Sequence, residues 1–161
     1  MVERIFFCRS EVSLAGTATT IQSVREPFEA IETLEQIAAE AGDRLAPTSP
    51  TGRMLEEILM VAYLRLGEQQ NCIAHHPVGA CVVPLQPSAF HLDEMGSREA
   101  IKRLSALLER DPDNLNYRWL LNIAHMTLGG YPDQVPERWR ISADAIRSEH
   151  PLPPFPDVAP A

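Results

Sequence analysis

Two cysteines and three histidines crowd into Cys72-x2-His75-His76-x4-Cys81-x9-His91. Thiolate and imidazole are the donors that zinc takes in tetrahedral sets. Cys72, His75, His76, Cys81 and His91 are therefore the candidate metal ligands, for zinc or another transition metal. Their spacing matches no standard zinc finger. The plainer reading makes both cysteines small buried hydrophobes and the histidines polar groups of a loop. A Cys72–His75 nucleophile pair has the right chemical types. It lacks a third group to orient the imidazole within a proline-rich loop. Cys-x-x-Cys-His is absent, which excludes the usual covalent haem attachment. No glycine-rich phosphate loop, serine nucleophile elbow or pair of carboxylates at a strand end is present. No catalytic and no cofactor-binding residue is assigned, and the chain is expected not to be an enzyme.

Composition narrows the partners. The chain has 161 residues, enough for one domain with a buried core and no need of disulfides. A net charge of −8 argues against nucleic acid, which needs clustered Lys and Arg, and against a polybasic membrane contact. No apolar run is long enough for a membrane span. The segment from Met1 to Arg9 is too short and too charged for a signal peptide, so a cytoplasmic location is expected. Three cysteines are an odd count, so any disulfide leaves one thiol over.

The Cys/His stretch has no helical pattern of its own but lies between elements that do. Residues 1–26 are weakly patterned. Pro27 suits a first helical turn, and Phe28, Ile31, Leu34, Ile37, Ala38 and Ala41 recur at helical steps, predicting a helix over 27–41. Met54, Leu55, Ile58, Leu59, Ala62 and Leu66 predict a second helix over 52–66. Val61, Tyr63 and Leu64 widen its apolar face to two sides. A loop follows over 70–96, broken by Pro77, Pro84 and Pro87, with Val82-Val83-Pro84-Leu85 as an extended apolar strap. Ser97 reads as the cap of a third helix over 98–110, with Ala100, Ile101, Leu104, Leu107 and Leu108 inward and Arg98, Lys102, Arg103 and Glu109 outward. A fourth helix over 114–128 carries Tyr117, Trp119, Leu120, Leu121, Ile123, Ala124 and Leu128. His125 beside them reads as a core or groove histidine. The helical domain spans 27–148, and residues 149–161 form a proline-rich tail.

The two halves repeat one design. Ala62-Tyr63-Leu64-Arg65-Leu66-Gly67 aligns with Ala124-His125-Met126-Thr127-Leu128-Gly129, and Asp111-Pro112-Asp113-Asn114 opens the last helix. This arrangement resembles the tetratricopeptide repeat. Three stretches are more specific: Leu66 to His76, Arg118 to Gly129, and Tyr131-Pro132-Asp133-Gln134-Val135-Pro136-Glu137. They resemble the helical N-terminal region of bacterial FG-GAP/VCBS-repeat proteins with an ASPIC/UnbV segment, relatives of the cartilage acidic proteins. Phe155-Pro156-Asp157-Val158-Ala159-Pro160 is similar to the joint where that family's β-propeller begins, so the likeness covers roughly residues 50–161. The resemblance implies an exported setting, in which a Cys72–Cys81 disulfide becomes an alternative to thiolate ligation. It also implies that a separately encoded propeller is a candidate partner.

The expected fold is all-α: tetratricopeptide-like antiparallel helix hairpins joined by a long ordered loop containing the Cys/His residues. The expected function is a non-catalytic interaction or scaffold module. The alternatives are a metal-binding protein using residues 72–91 and an accessory protein in secondary metabolism.

Overall fold

The computed structural model describes residues 16–73, 79 and 82–146, with side chains from position 27 onward. The described residues are helical and contain no strand. Four helices carry the fold: α1 (Gly16–Ala41), α2 (Pro50–Glu68), α3 (Met95–Arg110) and α4 (Leu115–Thr127). A short α5 (Ala143–Ile146) follows. The all-α class expected from the periodicity is what forms.

The boundaries differ from expectation where backbone chemistry overrides pattern. Pro27 lies inside α1 rather than at its start, and the helix runs back through it to Gly16. A proline ring costs one interior hydrogen bond but leaves its own helical φ intact. Ser49 caps α2, its hydroxyl accepting from the Gly52 N–H at 3.0 Å. The incoming chain folds tightly over that turn: a Cβ on Gly52 would lie 2.1 Å from the Ala46 carbonyl oxygen. Ser97 is not the cap of α3. Asp93 Oδ1 accepts from the Met95 N–H at 3.2 Å instead, and Ser97 is buried within the helix. Asn114 caps α4 through the N–H groups of Asn116 and Tyr117. Gly129, at φ +67°, ends it in the left-handed conformation that closes helices.

Successive helices pack antiparallel, and α2 against α3 is the most extensive contact. The end of α2 meets the start of α3 backbone to backbone: a Cβ on Gly96 would lie 2.6 Å from Gly67 N and from Tyr63 O. The core joins Leu59, Met60, Tyr63 and Leu66 of α2 to Ala100, Leu104, Leu107 and Leu108 of α3 and to Tyr117, Leu120 and Leu121 of α4. On α1 only Ile31 is fully buried among the described side chains, with Leu34 partly so. Phe28, Ile37, Met54 and Ile58, expected on inward stripes, are exposed. The buried faces of α1 and α2 are narrower than their apolar faces. Arg103, expected on a solvent face, is mostly buried. Its guanidinium bonds Glu56 of α2 at 2.8 Å and Glu35 of α1 at 2.9 Å, and stands over the Tyr63 ring. Val82-Val83-Pro84-Leu85 bends instead of forming a strap, with Val82 and Pro84 exposed.

Beyond α4 the chain folds back onto it. Buried Asn122 donates to the Trp139 carbonyl at 2.9 Å and accepts from the Ile141 N–H at 3.0 Å. Trp139 is thereby held in the core. The segments 1–15 and 147–161, with Cys8 and the proline-rich tail, lie outside the described residues.

The glycine seam yields a direct expectation. Gly96→Ala places a methyl against unyielding backbone and forces α2 and α3 apart, at a cost of about 1–3 kcal/mol. Urea unfolding of the variant should show a lower midpoint with an unchanged slope. An unchanged midpoint would mean that the two helices do not meet this closely.

Candidate functional site

The sulfur of Cys72 and Nε2 of His91 stand 3.9 Å apart. Three pieces of backbone bring them together. The last turn of α2 widens into a π turn over Gln69–Ile73, which carries Asn71 inward and Cys72 to a half-buried position. Asn71 then fastens the far side of the loop. Its amide donates to Gly67 O at 2.8 Å and Asp93 O at 2.9 Å, and its oxygen accepts from the N–H groups of Leu92 at 2.7 Å and Asp93 at 2.9 Å. An asparagine side chain offers two donors and two acceptor sites, and all four are used. The third piece is the His91 N–H, which donates to the Thr127 carbonyl at 2.8 Å and ties the site to the end of α4.

The imidazole is oriented from behind. His91 Nδ1 lies 3.0 Å from Ser97 Oγ, Ser97 Oγ lies 2.7 Å from Thr127 Oγ1, and Thr127 Oγ1 lies 2.8 Å from the Ala124 carbonyl. Hydroxyl protons rotate to suit their partners. The Thr127 hydroxyl donates toward the Ala124 carbonyl and Ser97 Oγ, and Ser97 Oγ in turn holds His91 Nδ1. His91 Nε2, on the other side of the ring, faces the Cys72 sulfur. Burial pushes the imidazole down to about 4, against a weaker upward pull from Asp93. A neutral imidazole this reluctant to take a proton is a poor partner for a thiolate–imidazolium pair, so the arrangement does not favour nucleophilic chemistry.

Cys72 and His91 are thus brought together, whereas His75, His76 and Cys81 lie outside the described residues, and with them the Cys72–Cys81 pairing. Among the described residues no third His, Cys, Asp or Glu joins the pair to form a metal-holding group. His125 is buried in α4, its Nδ1 has no hydrogen-bond partner, and burial lowers its pKa. Ser97, Thr127 and Asn71 are the residues that sequence reasoning missed. Ser97 looked like a helix cap, and nothing in the spacing of Asn71 or Thr127 marks either as a partner of a distant loop.

A second feature lies apart from this pair. Met54, Ile58 and Val61 are 58%, 41% and 39% exposed, at i, i+4 and i+7 along α2. They form one row on the helix face opposite Leu59, Tyr63 and Leu66. No described helix is long and apolar enough to cross a membrane.

Fold and site together define an all-α protein with a polar-locked Cys/His contact and an apolar outer helix face. Comparison with protein-family models, with curated proteins and with solved structures finds no match.

The buried imidazole sets a pH dependence. Unfolded His91 takes a proton near pH 6.5, but folded His91 does so only near 4. Its neutral form therefore contributes stability that is complete above about pH 6.5 and is lost as pH falls toward about 4. His125 acts in the same direction. Urea midpoints measured across this window should fall with acidification, and His91→Gln should flatten the fall. Parallel profiles for the two proteins would show that His91 is not held neutral.

Proposed function

We propose that this chain is a non-catalytic protein-interaction module that docks a partner on the outer face of α2. The supporting observation is the row Met54–Ile58–Val61, left uncovered although the rest of α2 is packed on two sides. Water-exposed apolar side chains at one helical period are what an amphipathic partner element covers. Arg53–Glu57 and Arg65–Glu68 ion pairs flank the row and supply a polar rim. The absence of nucleophile-elbow, phosphate-loop and paired-carboxylate patterns agrees with a binding role. The partner class suggested by the sequence resemblance is a separately encoded β-propeller protein.

The test is pulldown from the native host with the full chain as bait, comparing wild type with Met54→Asp/Ile58→Asp. The exposed substitutions should leave thermal unfolding within about 0.5 kcal/mol of wild type, because neither side chain is in the core. They should reduce capture of the specific partner at least about tenfold, the loss of one or two central contacts. Equal capture by both baits, or no capture by either, defeats the reading.

A further inference from the structure

We infer that the groove between α1 and α2 takes a cationic amphipathic helix of a partner protein. This names the partner chemistry for the docking face of α2 and rests on that reading. The groove follows from register. Arg103 of α3 bonds both Glu35 of α1 and Glu56 of α2, so α3 lies on the side of each helix that those carboxylates occupy. Ile37 and Ile58 each come two residues later, about 200° around their own helices. Both therefore face away from α3, on one side of the hairpin. The antiparallel pairing that brings the Tyr63 hydroxyl to Glu35 sets Ile37 alongside the part of α2 that carries Met54 and Ile58. Ile37 is 47% exposed, as uncovered as the α2 row itself. Leu34 and Ala62, one turn from Ile37 and Ile58, are partly buried against the core and supply the floor.

Charge selects the occupant. Over residues 27–68 eight Asp and Glu stand against three Arg, a net charge of −5, whereas over residues 95–146 seven acidic and seven basic side chains balance. The excess negative charge thus sits largely on the hairpin that forms the groove. Two of its three arginines, Arg53 and Arg65, are already paired within α2. Glu40, three residues on from Ile37, and Glu57, four before Val61, stand at the two rims. An apolar stripe flanked by Lys and Arg complements both the lining and its charge. The form of the occupant is selected as well. The described residues offer no strand edge for an extended peptide, and the described lining is aliphatic, without the aromatic rings that hold proline-rich segments. A helix laid along the hairpin covers Met54, Ile58 and Val61 on one flank and Ile37 on the other.

The experiment titrates the full chain into fluorescein-labelled synthetic peptides of about 18 residues, long enough to form a helix once bound. The first carries leucines at helical spacing flanked by lysines. The second replaces those lysines with glutamates, and the third scrambles the first so that the stripe is lost. The first should bind at least about tenfold tighter than either of the others, gain helical circular dichroism on binding, and weaken as salt rises. Ile37→Ser and Met54→Asp/Ile58→Asp should each weaken it at least about tenfold without moving the thermal midpoint, because these side chains are exposed. Glu40→Lys should weaken it less. Leu92→Ser, which alters an exposed apolar residue outside the groove, should bind as wild type does. No binding of the lysine peptide, or equal binding of all three, overturns the proposal. So does unchanged affinity in Ile37→Ser. Should either groove variant unfold, the other decides. If Ile37→Ser keeps the native-host partner that Met54→Asp/Ile58→Asp loses, that partner docks on α2 alone: the cationic-helix groove falls and the interaction reading stands.

Discussion

The close approach of Gly67 to Gly96 is the constraint on which the rest depends. A Cβ on Gly96 would lie 2.6 Å from Gly67 N and from Tyr63 O, so the glycine there lets the end of α2 and the start of α3 touch through backbone. With larger residues the helices would separate, and three consequences of their contact would go. Tyr63 and Leu66 would no longer face Ala100 and Leu104 across the core. The chain between the helices could not return close enough for Asn71 to reach Leu92 and Asp93. The His91 ring, which lies against Gly67, would lose the surface that buries it. The backbone contact at Gly96 thus helps to bury a histidine in the loop.

Two buried asparagines do work that secondary structure does elsewhere. Backbone groups in a loop have no ladder or helix to satisfy them, and leaving one buried and unpaired costs about 1–3 kcal/mol. Asn71 provides for the loop before α3, and Asn122 does the same for the segment that follows α4. Each side chain projects from the end or middle of a helix and reads the backbone of a chain far away in sequence. The loops are ordered at these points because a rigid helix carries their hydrogen-bonding partners.

This explains what the sequence could reveal. Helix class and the inner face of α3 were legible because Ala100, Leu104, Leu107 and Leu108 obey one period and all face inward. The opening of α4 at Asp111-Pro112-Asp113-Asn114 was legible because turn chemistry is local. Met54 and Ile58 misled because periodicity reports an apolar face and cannot say how wide a neighbour covers it. Cys72 and His91 were named as candidates from residue type. Their meeting was not readable, since it rests on a π turn and on Asn71, Ser97 and Thr127, whose roles arise only through contacts distant in sequence. Arg103 misled for the opposite reason: a charged residue on an outward register is normally solvated, yet here α1 lies over it.

Arg103 also explains how α1 is held. With Ile31 as the one fully buried side chain among those described, residues 27–41 of α1 offer little apolar area with which to fix register on α2 and α3. The polar contacts supply that specificity. Glu35 accepts from both Arg103 and the Tyr63 hydroxyl, and burial followed by this carboxylate pushes the Tyr63 phenol up to about 12. Such a cluster adds little net stability over an apolar contact of the same size, because the charges must be desolvated. It still marks one register, since a slip of α1 takes Glu35 away from Arg103 and Tyr63 while Glu56 keeps Arg103 paired. Arg103 Nε, buried without a partner, shows that the cluster is already at its limit of satisfaction. On its far side α1 also touches the turn Gln69–Ile73, so the register set by Glu35, Tyr63 and Arg103 reaches the segment that carries Cys72.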